Sequence, residues 1–332
     1  MSRFGPLPDP TALLGHDEAG AAFAAILDGG ASDEQIAGFL IALSDRGETM
    51  VEIAAAAQAM RDRMIPIDAP DNAIDVCGTG GDGHHTLNVS TAVAIVVAAC
   101  EVPVAKHGNR AASSKSGAAD TLEALGLDME RAGAMAEAQL ADLGICFLFA
   151  ANHHPAMKRI QPIRKAIGQR TIFNLMGPLA NPARVSRQLV GIARPAYVPV
   201  YAEALHRLGT DHSRVISGDE GLDELSLAGG NEVAVVTREG VRMQRSTAAD
   251  AGLPSHPIDA IRGGDAAANA AALRALLLGE PGAYRDAVLY TAAEALVVAG
   301  AAEALADGVE EAAEAIDKGL ANALLNCWIA YT

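Results

Sequence analysis

Two prolines, Pro66 and Pro70, divide this chain into stretches of different periodicity, and that break constrains the fold more than any other feature. Before it, apolar residues recur at helical spacing only. Ser32 with Gln35 reads as a capping box opening a helix that carries Ile36, Phe39, Leu40 and Leu43. Thr49 with Glu52 reads as a second box, ahead of Ile53, Ala56, Ala57 and Met60. After it, residues 74–77, 102–105, 145–149, 189–193 and 214–217 read as strands, and 91–100, 118–125, 130–143 and 199–208 as helices between them. Such alternation argues an α/β domain with a mostly parallel central sheet. Residues 232–237 and 241–245 read as a late hairpin, and the chain from Ala266 onward as alanine-rich helix. The expected organisation is a small all-helical N-terminal domain over 1–68 and a larger α/β domain over 69–332, with helices from about 155–183 packing on the small one.

A chain of 332 residues, half of them apolar and a fifth charged, suits a large globular domain joined to a small one. Its formal net charge of −16 argues against nucleic acid or an anionic membrane as partner, so any anion must be captured by a local site. The longest apolar run, 92–100, is far too short to span a bilayer, and Met1 to Pro10 has no apolar core of a signal peptide. The expected location is the cytoplasm. Cys77, Cys100, Cys146 and Cys327 lack CxxC spacing and read as reduced, buried, small hydrophobes.

Directly after the first strand comes Gly78-Thr79-Gly80-Gly81-Asp82-Gly83, where backbone amides can approach a ligand closely. Positions 78, 80 and 83 satisfy G-x-G-x-x-G, but a dinucleotide loop should run straight into a helix, and residues 84–88 intervene. The acidic residue expected after the second strand is also missing, since Glu101 precedes it. Asn88-Val89-Ser90-Thr91 then opens a helix, and free amides with polar side chains at a helix N-terminus make an anion site.

The next strand ends in Lys106-His107-Gly108-Asn109-Arg110-Ala111-Ala112-Ser113-Ser114-Lys115-Ser116-Gly117. Cations beside hydroxyl and amide donors, at the strand ends where open α/β sheets bind ligands, point to phosphate or pyrophosphate. Further on, Asp223 and Glu224 supply adjacent hard oxygen ligands that suit Mg²⁺ held jointly with a pyrophosphate. The pairs His84-His85 and His153-His154 do not read as zinc ligands, because adjacent side chains diverge and no third and fourth ligand follows at zinc spacing. The basic face at 158–165, with Lys158, Arg159, Arg164 and Lys165, reads as solvated surface.

These segments, with Asn152-His153-His154-Pro155-Ala156-Met157, the run at 170–183 and Gly221-Leu222-Asp223-Glu224-Leu225-Ser226, resemble the anthranilate phosphoribosyltransferase family in order and spacing over nearly the whole chain. The resemblance implies the architecture shared with pyrimidine nucleoside phosphorylases, a cleft holding phosphoribosyl pyrophosphate (PRPP), and a homodimer formed through the helical domain. It implies transfer of the phosphoribosyl group to the amine of anthranilate, with Mg²⁺ as cofactor, two ions per subunit when PRPP is bound. By position, Gly78, Gly81, Asp82, Thr86, Asn88, Val89, Ser90, Thr91, Lys106, His107, Gly108, Asn109, Arg110, Ala111, Ala112, Ser113, Ser114 and Ala118 match PRPP contacts. Ser90, Asp223 and Glu224 match metal positions, and Gly78, Asn109 and Arg164 match anthranilate positions. Ala118 replaces a common serine and Ala151 a common proline. No acid or base is expected, with His107 serving for positioning and as an electrostatic floor. A nucleoside phosphorylase would instead need a K-x-S-T-G-G-like loop, and the chain has GTGGDG.

Overall fold

The computed structural model describes residues 4–111 and 115–331. Three helices come first: α1 (His16–Asp28), α2 (Asp33–Arg46) and α3 (Met50–Arg61). Both expected capping boxes form. Ser32 and Gln35 exchange bonds at the start of α2, as do Thr49 and Glu52 at the start of α3.

Seven strands follow: β1 (Ile74–Gly78), β2 (Val104–Gly108), β3 (Ile145–Phe149), β4 (Arg187–Gly191), β5 (His212–Gly218), β6 (Asn231–Thr237) and β7 (Gly240–Ser246). Their order in one sheet is β3-β2-β1-β4-β5-β6-β7. Strands β1 to β5 pair in parallel, and β6 and β7 add an antiparallel edge, so the sheet is mostly parallel as expected. Helices cover both faces, the arrangement that parallel sheets require. On one face pack α4 (Val89–Ala99) and α5 (Ala118–Leu125); α6 (Met129–Ala134) and α7 (Ala136–Leu143) lie against β3.

Of the remaining helices, α8 (Ala150–His153) is a single turn and α9 (Met157–Ile167) follows it. Ile160 and Ile163 of α9 share a core with Phe23, Ile26, Ile36 and Phe39 of α1 and α2. That core continues through α10 (Met176–Leu179) and α11 (Val198–Arg207) onto Val190 of β4 and Val215 of β5. The neighbouring Leu189 and Ile216 point into the other core instead, as strand alternation dictates. That second core is closed by α12 (Ala266–Leu277), α13 (Ala283–Ala299), α14 (Leu305–Asp317) and α15 (Leu320–Ala330); α13, α14 and α15 pack on the apolar α4, and α12 on α5. Among the described residues no helix is long and apolar enough to cross a membrane.

Several expectations shift. The second strand begins at Val104, not 102, and carries Lys106 and His107 inside the sheet. The single helix expected over 130–143 breaks at Met135, the residue between α6 and α7. All four cysteines are free, but only Cys77 and Cys146 are buried; Cys100 is half-buried and Cys327 exposed on α15.

Candidate active site

The carboxyl ends of β1 and β4 finish side by side in Gly78 and Gly191. Both are glycine because the 219–226 loop lies on them. A Cβ on Gly191 would meet the Asp223 carbonyl oxygen at 1.7 Å, and one on Gly78 would meet Asp223 Oδ2 at 2.4 Å. The two expected metal carboxylates are thereby delivered to the glycine loop. The Gly80 N–H donates to Asp223 Oδ2 at 2.6 Å, and the Ser90 N–H, in the first turn of α4, donates to Glu224 Oε1 at 3.1 Å. Asp82 accepts from the His84 N–H at 3.1 Å through Oδ1, while its buried Oδ2 has no partner. Burial, then Asp82, pushes the Asp223 carboxyl well above the ordinary range, and burial, then Asp223, does the same to Glu224.

Lys106 reaches this cluster from the adjacent strand. Only 2% exposed, it donates to the Val76 carbonyl at 2.7 Å and the Ser90 hydroxyl at 3.3 Å. Asp75, fully buried in β1, accepts from the His107 N–H at 3.1 Å. Burial raises the Asp75 carboxyl and Lys106 opposes that rise. Sequence reading missed Asp75, because one acid inside an apolar strand gives no signal of the cation beside it.

The start of α4 is only partly as expected. The Asn88 side-chain oxygen accepts from the Thr121 hydroxyl at 2.6 Å and from Asn269 of α12 at 2.9 Å, and the Asn88 carbonyl accepts from the Tyr284 hydroxyl of α13 at 3.1 Å. Asn88 is thus tied into the fold, and the Val89 N–H is bonded to Leu87 O. The Thr91 hydroxyl is buried without a partner, an orphan group at a helix N-terminus that an anion would satisfy. Thr86 lies in an isolated bridge to Arg262.

In the second loop, Lys106, His107 and Gly108 end β2, and Asn109 leads out exposed, its side-chain oxygen accepting from the Arg110 N–H at 2.8 Å. The Arg110 guanidinium turns to α5, pairing with Asp120 at 3.0 Å and Glu123 at 2.7 Å. It would have to leave those carboxylates to meet a phosphate. Asp120 also accepts from the Ala111 and Gly117 N–H groups, each at 2.9 Å, closing the loop ahead of Ala118. Ala112, Ser113 and Ser114 lie outside the described residues.

His107 is buried with Nδ1 bonded to the Gly177 carbonyl at 2.8 Å, and its ring centroid lies 5.1 Å from that of His154. Burial, then His154, lowers His107 to about 3, and burial, then His153, lowers His154 to about 4. Near neutral pH both rings are uncharged, so the ring that His107 presents is a hydrogen-bonding dipole and not a cation. A depressed histidine stabilises the fold above its unfolded value near 6.5 and loses that contribution as pH falls toward the folded value. The melting temperature should therefore decline as pH drops from about 6.5 to 4, and His107→Asn should make the decline shallower. An unchanged slope in that variant would remove His107 from the acid response.

Arginines gather on the opposite wall. Arg164 of α9 is part-buried, and among the described residues its guanidinium has no hydrogen-bond or ion-pair partner. Burial, then nearby Arg170, lowers its guanidinium. Arg159 is not plain solvated surface: it donates to the Ala31 carbonyl at 2.8 Å and lies 3.7 Å from Asp33. A small cavity between α2 and the strand ends is lined by Thr79 of the glycine loop and by Glu48, Arg170, Arg194 and Tyr197, which sequence reading did not pick out as site residues. The only hint was the 170–183 run itself, which opens with Arg170.

The cluster fits a hard divalent cation. Two carboxylates pushed upward by burial and mutual repulsion, with an orphaned Asp82 oxygen alongside, lack a positive charge that an ion would supply. Among the described residues no three His, Cys, Asp or Glu side chains converge to cage an ion alone. Such an ion would draw its other oxygens from a bound phosphate and water, the habit of Mg²⁺.

Fold and site together define a two-domain transferase, and two family models match it as such. The glycosyl transferase family helical bundle domain covers residues 13–64, and the glycosyl transferase family a/b domain covers 70–322. The anthranilate phosphoribosyltransferase of Sphingopyxis alaskensis is 85% identical, with all of both chains covered. That of Novosphingobium aromaticivorans is 76% identical over 98% of each chain. The chain belongs to the anthranilate phosphoribosyltransferase family. Among solved structures, the Thermus thermophilus enzyme superposes with a TM-score of 0.89 at 43% identity, covering 96% of both chains. The Saccharomyces cerevisiae enzyme, solved in complex with PRPP and Mg, gives a TM-score of 0.87 at 29% identity, covering 96% of this chain and 93% of that one.

Proposed function

We propose that this chain transfers the phosphoribosyl group of PRPP to the amine of anthranilate, releasing pyrophosphate, a step of tryptophan biosynthesis. The observation that carries the reading is the meeting of Asp223 and Glu224 with the Gly80 amide, the first turn of α4 and Lys106. Its relatives carry that activity in their names. Asp223, Glu224 and Ser90 would hold Mg²⁺ together with the pyrophosphate, two ions per subunit when PRPP is bound. Bound there, the metal neutralises charge developing on the leaving group.

The residues around it bind and orient. Lys106 and the N-terminus of α4, with the orphan Thr91 hydroxyl, present positive potential to the phosphates. Gly78, Gly81, Asp82 and Thr86 shape the floor, and residues 106–114 with Ala118 match the family's PRPP contacts. Arg164 and Asn109 take the anthranilate carboxylate. An aromatic amine is unprotonated at neutral pH, so we assign no acid or base, and His107 positions as a neutral ring. We assign residues 1–68 to a helical domain with 155–183 packed on it, and 69–332 to the α/β domain. A homodimer through the helical domain, working in the cytoplasm, completes the reading. Anthranilate fluorescence should fall only when PRPP and Mg²⁺ are both added; a fall without PRPP, or none with both, would overturn it.

Substrate roles separate at Arg164. A guanidinium–carboxylate pair is worth roughly 1.5–3 kcal/mol. Arg164→Ala should raise the anthranilate Michaelis constant about tenfold to a hundredfold and leave that of PRPP nearly unchanged. Because Arg159 is engaged with the α1–α2 connection, the control is Lys165→Ala, an exposed position on α9. A parallel rise in both constants would mean a hinge defect instead.

A further inference from the structure

Arg170 stands in the connection after α9 and is given no role in the function proposed above. Its Nη1 donates to the Gly80 carbonyl at 2.7 Å. The guanidinium lies against Gly81, where φ is +75° and an added Cβ would come within 1.8 Å of Nη1. Its own carbonyl accepts from the Ser44 hydroxyl of α2 at 3.1 Å. One residue thus joins α2 to the glycine loop. Gly80 in turn is held at both ends, its carbonyl by Arg170 and its N–H by Asp223 Oδ2. Arg164 and Arg194 lie near Arg170, a like-charge arrangement that Asp223 and Asp82 oppose only in part.

Resting on the function proposed above, we infer that Arg170 is a positioning residue for the Mg²⁺–PRPP side of the site. It fixes Gly80 to Asp82, and through Gly80 the Asp223 carboxylate, to helix α2. It acts on PRPP and metal, and not on anthranilate, whose carboxylate falls to Arg164. Helix α2 also gains a physical link to the loop: a shift of Ser44 or Arg170 moves the amide that Asp223 leans on.

The test is calorimetric titration of the full-length protein with PRPP in the presence of Mg²⁺, alongside steady-state kinetics. Arg170→Ala should weaken PRPP binding roughly tenfold or more and raise the Mg²⁺ concentration for half-maximal activity, with the anthranilate Michaelis constant within about twofold of the parent's. Arg170→Lys keeps the charge but not the planar fork, and should fall between the two. If the alanine variant does not fold, the lysine variant decides alone: weaker PRPP binding with an unchanged anthranilate constant upholds the role. PRPP binding equal to the parent's, or equal losses for both substrates, overturns it. An inactive parent enzyme would sink the functional reading itself, whereas an active parent matched by both variants sinks only the inference about Arg170.

Discussion

Asp223→Asn combined with Glu224→Gln is expected to lower turnover by about a thousandfold, as several kcal/mol of charge stabilisation are lost, and to raise the melting temperature of the unliganded protein. The second half follows from the direction of the shifts. Both carboxyls are pushed upward by burial and by neighbouring acids. An acid with a raised folded value stabilises the fold below its ordinary value near 4 and forfeits that as pH rises through the folded value. At pH 9, above the folded values of about 7 and about 8, the parent therefore holds like charges in a desolvated corner, and neutral amides relieve it. The gain should be on the order of 2 °C or more. Mg²⁺ with pyrophosphate should raise the parent's melting temperature and leave the variant's alone. Equal stabilisation of both proteins by the ion would place the metal elsewhere.

Lys106→Ala should damage binding and folding together. Read as a loop cation, Lys106 would be removable with the fold intact; at 2% exposure, on a strand beside the fully buried Asp75, it is not. Removing its ammonium strips the Val76 carbonyl and the Ser90 hydroxyl of a charged donor and Asp75 of a nearby cation, at a cost of roughly 1–3 kcal/mol. The urea midpoint should drop accordingly, and PRPP binding should weaken with it. Lys106→Met with Asp75→Asn separates the two effects, because it leaves no unpaired buried charge: stability should return in large part and activity should not. A parent-like urea midpoint for Lys106→Ala would show that Asp75 does not depend on this lysine.

How legible these features were depended on whether polarity and burial agreed. Strand β3 was read with its observed bounds because Ile145 to Phe149 is apolar throughout. Strand β2 was read too early because hydropathy stops at Ala105, while the strand goes on through Lys106 and His107, whose ammonium and Nδ1 find carbonyl partners inside the protein. Strand β4 likewise begins at Arg187 and Gln188, the latter buried and donating to the Pro178 carbonyl at 2.7 Å. In the site, glycine density and adjacent carboxylates marked 78–83 and 223–224. Neither Asp75 nor Arg170 carries a local pattern, since each gains meaning only from partners far away in sequence. Arg110 shows the converse: a cation in a phosphate-like run that the structure gives to Asp120 and Glu123.

The tether at Asn88 ties together distant parts of the chain. Asn269 and Tyr284 reach it from 181 and 196 residues downstream. Its turn of backbone opens the helix whose Ser90 amide meets Glu224. The alanine-rich tail is therefore a keystone and not a trailing appendage. A fragment ending before α12 would keep every loop that carries phosphate chemistry and lose the brace that sets one of them. Splitting this enzyme into two polypeptides would demand that the tail dock back before any activity returned.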